Sequence, residues 1–395
     1  MKKHIKPILL SSFCTLLVCL FLFTLYLVLG TGGDVSFSAK LAEVQRLIEQ
    51  NAVMDFSMEE AENQAFYAYV SALDDDYAYY MSKEEYEAYL NDSAGNKTGI
   101  GITIRSTDVI QDGLFITRTI GGSPAETAGL KAGDLIVALN GVSILNRSYD
   151  DVYAEMTGEA GTVLQLTVLR DGASLEFSVT REFYHQRSVD SWMLDGNIGF
   201  IRIHSFTKDS SQEFEEALNA LLEQGVRGWI FDLRYNLGGN LEEVEKIVSF
   251  LIPRDELIIM QFKNREEIYY SAGTQKTSRP MVVLMNSQTA SASELMASAL
   301  RDVNGTLLIG EQSYGKGIGQ TTYRLSDGSA VKMTTFYYLT KSRTNYHGVG
   351  LVPDVTVSLS QEKEPYFYAL SPEEDDQLQA ALACLLPQLP SVGNE

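Results

Sequence analysis

"NSQTASASELMASALRD" (residues 286–302) follows the apolar run "PMVVLM" and carries four serines, four alanines and an early glutamate, Glu294. A short apolar run, a polar turn and an alanine-rich segment read as buried strand, turn and helix, the unit of an α/β fold. Ser291 and Glu294 stand in S-x-x-E spacing, so a helix-capping box is one reading of the turn. A serine at a helix N-terminus is also well placed for nucleophilic chemistry, because free N–H groups and the positive end of the helix dipole face any oxyanion formed there. The residue types alone leave both readings open.

The α/β pattern extends outward from this stretch. "IGFIRIHSF" and "GWIFDLR" are further strand-like runs, and between them "SSQEFEEALNALLEQG" sets Phe214, Leu218, Leu221 and Leu222 on one helical face. Before residue 183 the period shortens. "GIGITIRS", "GLFITRTI", "DLIVALNG" and "VLQLTVLR" are short strands divided by Gly, Asp and Asn turns, which reads as a small β domain over residues 93–182. Residues 34–92 read as helices, with Leu41, Val44, Leu47 and Ile48 forming one stripe, and residues 183–360 as the α/β core. Residues 361–395 read as a helical tail, with Ser371 as N-cap and Leu378, Ala381, Leu382 and Leu385 as its apolar stripe. That stripe is expected to pack on the N-terminal helices of this chain or of a second copy, which leaves a homo-oligomer open.

Lys2, Lys3 and Lys6 precede an uncharged run over residues 8–29, long enough for the roughly 20 residues of a bilayer crossing. A secretory signal would have an apolar region of ~7–15 residues and a small-x-small cleavage site, which "LVLGTGG" matches poorly. The expectation is an uncleaved anchor over residues 1–33, lysines inside, with the rest of the chain outside the cytoplasm.

Lys+Arg number 31 against 52 Asp+Glu, a formal charge of −21, which argues against a nucleic-acid partner. Three cysteines and four histidines show no ligand spacing, so no metal and no cofactor is expected. A nucleophilic serine needs a base, and none of the histidines lies in a triad motif. Lys316 in "GEQSYGKGIGQ" is the other candidate, since a desolvated ammonium loses its proton more easily and glycines on both sides allow close approach.

In these residues the chain resembles the carboxyl-terminal processing (tail-specific) peptidases. "TASASE" and "YGKGIGQ", with Lys316 lying 25 residues after Ser291, carry the likeness, as do "SPAETAGLKAGDLIVALNGVSI", "FDLRYNLGG" and "GVGLVPDVTV". The resemblance runs in family order over roughly residues 70–360. It implies a Clp-protease/crotonase-like α/β core with a PDZ-like domain, acting as a serine endopeptidase. It also implies Ser291 as nucleophile, Lys316 as general base, Gln320 as the residue holding the amine, and Glu294 in support. The oxyanion hole would be the amide of Ala292 with that of Gly238 or Gly239. Gly99, Ile100, Gly101 and Ile102 would receive the C-terminus of a protein or peptide substrate with apolar last residues. Leu237 and Asp76 stand where proline is usual, and Tyr346–His347 is an unusual pair. An adaptor protein stays open as a partner. The rival readings are an inactive PDZ scaffold, a ligand-binding protein on a peptidase-like core, and a histidine-based hydrolase using His204 or His347.

Overall fold

The computed structural model of the protein describes residues 36–105 and 109–390, and the anchor expected at residues 8–29 lies outside them. Among the described residues no helix is long and apolar enough to cross a membrane. The chain divides into two units, residues 1–66 and 67–395. In the first, the helix Phe37–Asn51 is capped by Ser36, carries the expected apolar stripe and buries none of its residues.

In the second unit the apolar runs become strands β1 (Ile198–Ile203), β2 (Gly228–Asp232), β3 (Met281–Met285) and β4 (Leu307–Gly310), paired in parallel in that order. Val189–Leu194 lies antiparallel to β1, and the short Val355–Thr356 closes the other edge. Helices α1 (Ser210–Glu223), α2 (Leu241–Leu251) and α3 (Ala292–Asn304) connect successive strands. The period of two sorts the strand residues between two cores. Ile201, Phe231, Val283 and Met285 pack with α1 to α3, whereas Phe200, Ile230, Val282 and Leu284 pack with α4 (Asp376–Leu385). Each such side chain contributes ~1.5–3 kcal/mol on burial, so β3 is held on both faces and can support strain in the turn that follows it.

The tail departs from expectation twice. Its helix starts at Asp376 with Asp375 as N-cap, accepting from the Leu378 amide at 3.0 Å; Ser371 instead sits in a turn with Glu374. Its stripe covers the second face of the parallel sheet rather than the N-terminal helices. One contact accounts for both. Arg234 makes a two-pronged bond to Asp375, 2.8 Å at each oxygen, while bonding Asp232 at 2.9 and 2.8 Å and Gln377 at 3.0 Å, with all four residues buried. Burial opposes the Asp232 charge, yet Arg234 and Arg202 hold its carboxyl well below the usual range.

An antiparallel sheet lies beside the core, built on the hairpin β5 (Ile318–Arg324) and β6 (Ala330–Leu339) with Glu256–Phe262 and Tyr79–Met81 on β6. The β domain holds five main strands between Ile102 and Thr180, the helices Pro124–Ala128 and Tyr149–Met156, and its own core around Ile116, Ile136, Val152 and Leu166. Asn96–Gly99 and Glu182–His185 pair where the chain enters and leaves it.

Candidate active site

Ser291 is the N-cap of α3, at φ 57 and ψ −119. A non-glycine residue held there costs ~1–3 kcal/mol and persists only where its surroundings over-determine it. Here they do. Asn236, fully buried in the turn after β2, accepts on its carbonyl from the Ala290 amide at 3.0 Å and from Ser293 Oγ at 2.9 Å. Its side chain donates to the Ile203 carbonyl at 2.9 Å and accepts from the Gly238 amide at 2.9 Å. Thr289 Oγ1 donates to the Leu233 carbonyl at 2.9 Å.

Glu294 joins this turn to the lysine loop. Its Oε2 accepts from the amides of Ser291 and Lys316, both at 2.8 Å, so the backbones of the two residues meet on one oxygen. Oε1 accepts from Gly315 N at 2.8 Å and Ser313 Oγ at 2.5 Å. The Ser291 bond is the carboxylate half of the expected capping box. Burial raises the Glu294 carboxyl above its ordinary range, against the pull of these donors.

Lys316 is half-buried, with Nζ 4.0 Å from the centroid of the Tyr77 ring. Burial lowers its pKa, the Lys332 ammonium lowers it further, and Asp75 and Glu294 pull the other way. Among the described residues no hydrogen bond joins Nζ to Ser291 or Gln320. Gln320 Nε2 donates instead to Thr334 Oγ1 at 3.0 Å.

The two candidate oxyanion glycines differ. Gly238 donates its amide to Asn236, and its backbone presses on the serine: a Cβ there would come within 2.8 Å of Ser291 Cβ and 2.9 Å of Ala292 N. The amides of Gly239 and Ala292 have no hydrogen-bond partner among the described residues. Two such donors beside a strained serine can bind a developing oxyanion.

Of the described histidines, two lie beside carboxylates and the third, His347, has its backbone against Gly317 of the lysine loop. His204 Nε2 lies 2.6 Å from Asp190, His185 lies 3.4 Å from Glu213, and His347 is exposed beside Tyr337. Asn236, Tyr77, Asp75 and Thr334 belong to the site's surroundings and have no role assigned from the sequence, although Asn236 stands in "FDLRYNLGG".

In the β domain, Ile102–Ile104 is an edge strand, and a cleft of about 520 Å³ runs past it, lined by Gly99, Ile100, Gly101, Ile102, Met156 and Tyr184 among others. Gly101, at φ 82, has no room for a side chain, since a Cβ would fall 2.1 Å from Ser123 Cβ. The 3-10 turn Glu364–Ala369 connects this domain to the core: Tyr366 meets Phe115 edge-on at 5.2 Å, and Phe367 lies against Tyr235 at 4.7 Å and under Arg234 at 4.5 Å.

Comparison with known proteins gives the class. Residues 197–357 match the family model described as Peptidase family S41, and residues 90–169 match that of the PDZ domain. The molecule is thus a serine peptidase with a PDZ domain. The carboxy-terminal processing protease CtpA of Bacillus subtilis (strain 168) is 33% identical over 341 residues, covering 85% of this chain and 72% of that protein. The solved photosystem II D1 C-terminal processing protease aligns with a TM-score of 0.54 at 27% identity, covering 85% of this chain and 92% of that one. An S41 protease from Bacteroides fragilis NCTC 9343, at 17% identity, shares the fold with a TM-score of 0.60 over 86% of this chain and 92% of that one. The chain belongs to peptidase family S41, the carboxy-terminal processing serine proteases.

Proposed function

We propose that the enzyme cleaves with a serine–lysine pair. The observation carrying this reading is the Glu294 carboxylate, which gathers the Ser291 and Lys316 amides onto one oxygen while two free amides stand beside the serine. Neutral Lys316 leaves the Tyr77 face and takes the Ser291 Oγ proton as Oγ attacks the scissile carbonyl. The amides of Ala292 and Gly239 bind the oxyanion, each such donor contributing ~3–4 kcal/mol to the transition state. The lysine ammonium returns its proton to the leaving amine, and the neutral amine then takes a proton from the water that hydrolyses the acyl-enzyme. Gln320 accepts from the lysine amine and holds it in line.

Substrate enters by its C-terminus. The edge strand Ile102–Ile104 takes the substrate as an added strand, the loop at Gly99 and Gly101 receives the terminal carboxylate, and Ile100 and Ile102 favour an apolar last residue. Residues 8–29 anchor the enzyme in the membrane, with the catalytic domain outside the cytoplasm.

The test uses the full-length chain in detergent and an unstructured protein ending in apolar residues, beside the same protein ending in aspartate. Wild type cleaves the first faster, and Ser291→Ala and Lys316→Ala are both inactive. Activity in Lys316→Ala would remove the proposed base, and equal rates on the two ends would remove the apolar specificity.

A further inference from the structure

The hairpin β5–β6 carries a hydrogen-bond chain that ends at Gln320. Asp75, from the segment before Tyr79–Met81, accepts at Oδ2 from the Thr334 amide, 2.8 Å, and at Oδ1 from Thr334 Oγ1, 3.1 Å, and the Tyr77 amide, 3.0 Å. Thr334 Oγ1 in turn accepts from Gln320 Nε2. The polarity of this chain follows from the groups in it. An ionised carboxylate only accepts, so the Thr334 hydroxyl commits its one proton to Asp75. The hydroxyl then has only lone pairs for Gln320, which fixes Nε2 on that side of the amide and leaves Oε1 as its acceptor edge. A neutral lysine amine acting as base needs an acceptor for its own N–H, and an amide turned the other way would set donor against donor.

Resting on the serine–lysine reading, we propose that Asp75 and Thr334 are positioning residues for the general base, orienting the Gln320 amide so that Oε1 receives the Lys316 amine. Gln320 and Thr334 are paired across β5 and β6, immediately after a register shift between Gly319 and Gln320. The bonds to Asp75 hold its carboxyl below the usual range against the effect of burial, keeping it an acceptor at neutral pH.

The test compares Thr334→Val, Thr334→Ser and Asp75→Asn in the full-length enzyme, with Lys316→Ala as control. Valine keeps the shape and removes the hydroxyl. Its kcat should fall ~10-fold or more, a share of the ~10²–10⁴ that a positioned base contributes, with KM within about twofold. Serine restores the hydroxyl and should restore kcat. Asp75→Asn should lower kcat and also move the acid limb of kcat/KM to lower pH. The groups acting on Lys316 are Lys332, Asp75, Glu294 and the Tyr77 ring, and removing the Asp75 anion withdraws support from the ammonium. Wild-type kcat in Thr334→Val, equal losses in the valine and serine variants, or an Asp75→Asn profile scaled down with its limb unmoved would each overturn the proposal. Activity surviving in Lys316→Ala would instead overturn the serine–lysine reading beneath it.

Discussion

Ser291 stands on a helix buried from Ala292 to Leu300, whereas Lys316 leads into a hairpin whose Gln320, Thr322, Lys332 and Thr334 are only half-buried. On the serine side the position is fixed by packing and by amides that have single acceptors. On the lysine side it depends on one aromatic face, one neighbouring ammonium and a chain of three polar side chains. The proposed nucleophile and the proposed base therefore respond to different changes. Damage on the serine side should cost stability together with rate, and damage on the lysine side should alter rate and pH dependence while the fold survives.

Glu294→Ala breaks this comparison most severely, since Glu294 belongs to both sides. It strands four donors in the interior, each worth ~1–3 kcal/mol when unpaired. Denaturant unfolding should show a loss of ~4 kcal/mol or more, with no measurable peptidase activity; an unchanged midpoint would mean that the serine side is not held as described. Gly238→Ala is next. A methyl group at φ 102, 2.8 Å from Ser291 Cβ, should cost ~10²-fold in kcat by displacing the amides proposed to bind the oxyanion. Full activity in that variant would show that the turn yields freely. The smallest change is Lys332→Gln, outside the reacting groups. Its positive charge depresses the Lys316 pKa, so removing it should move the acid limb of kcat/KM to higher pH. The displacement should shrink in 1 M salt, where the Debye length is about 3 Å. A limb that stays put at low salt would mean that the limb belongs to another group.

The same division marks what the sequence makes legible. The serine side is local: strand, turn and helix follow one another in 23 consecutive residues, 280–302, and the apolar period declares them. Lys316 is reached as a candidate base from its residue type and its flanking glycines, whereas Gln320 is found only through the resemblance. The pairing of Asp75 with Thr334 is not legible: both lie within the span of the resemblance, but their bond joins residues 259 positions apart, which no local period declares. The start of the tail helix fails for a related reason. Ser371 and Asp375 are equally good caps by residue type, and only the distant Arg234 selects between them.

Arg234 lies next to the turn that carries Gly238 and Gly239, and its second carboxylate partner is 141 residues further along the chain. A buried guanidinium with one partner missing is expensive, on the order of 3–5 kcal/mol for such a broken pair. The consequence concerns time. During synthesis the segment bearing Ser291 and Lys316 emerges well before Asp375 does, and until then Arg234 has only Asp232 as its carboxylate partner. The turn that carries Gly238 and Gly239 thus gains its full support only once α4 has emerged and docked.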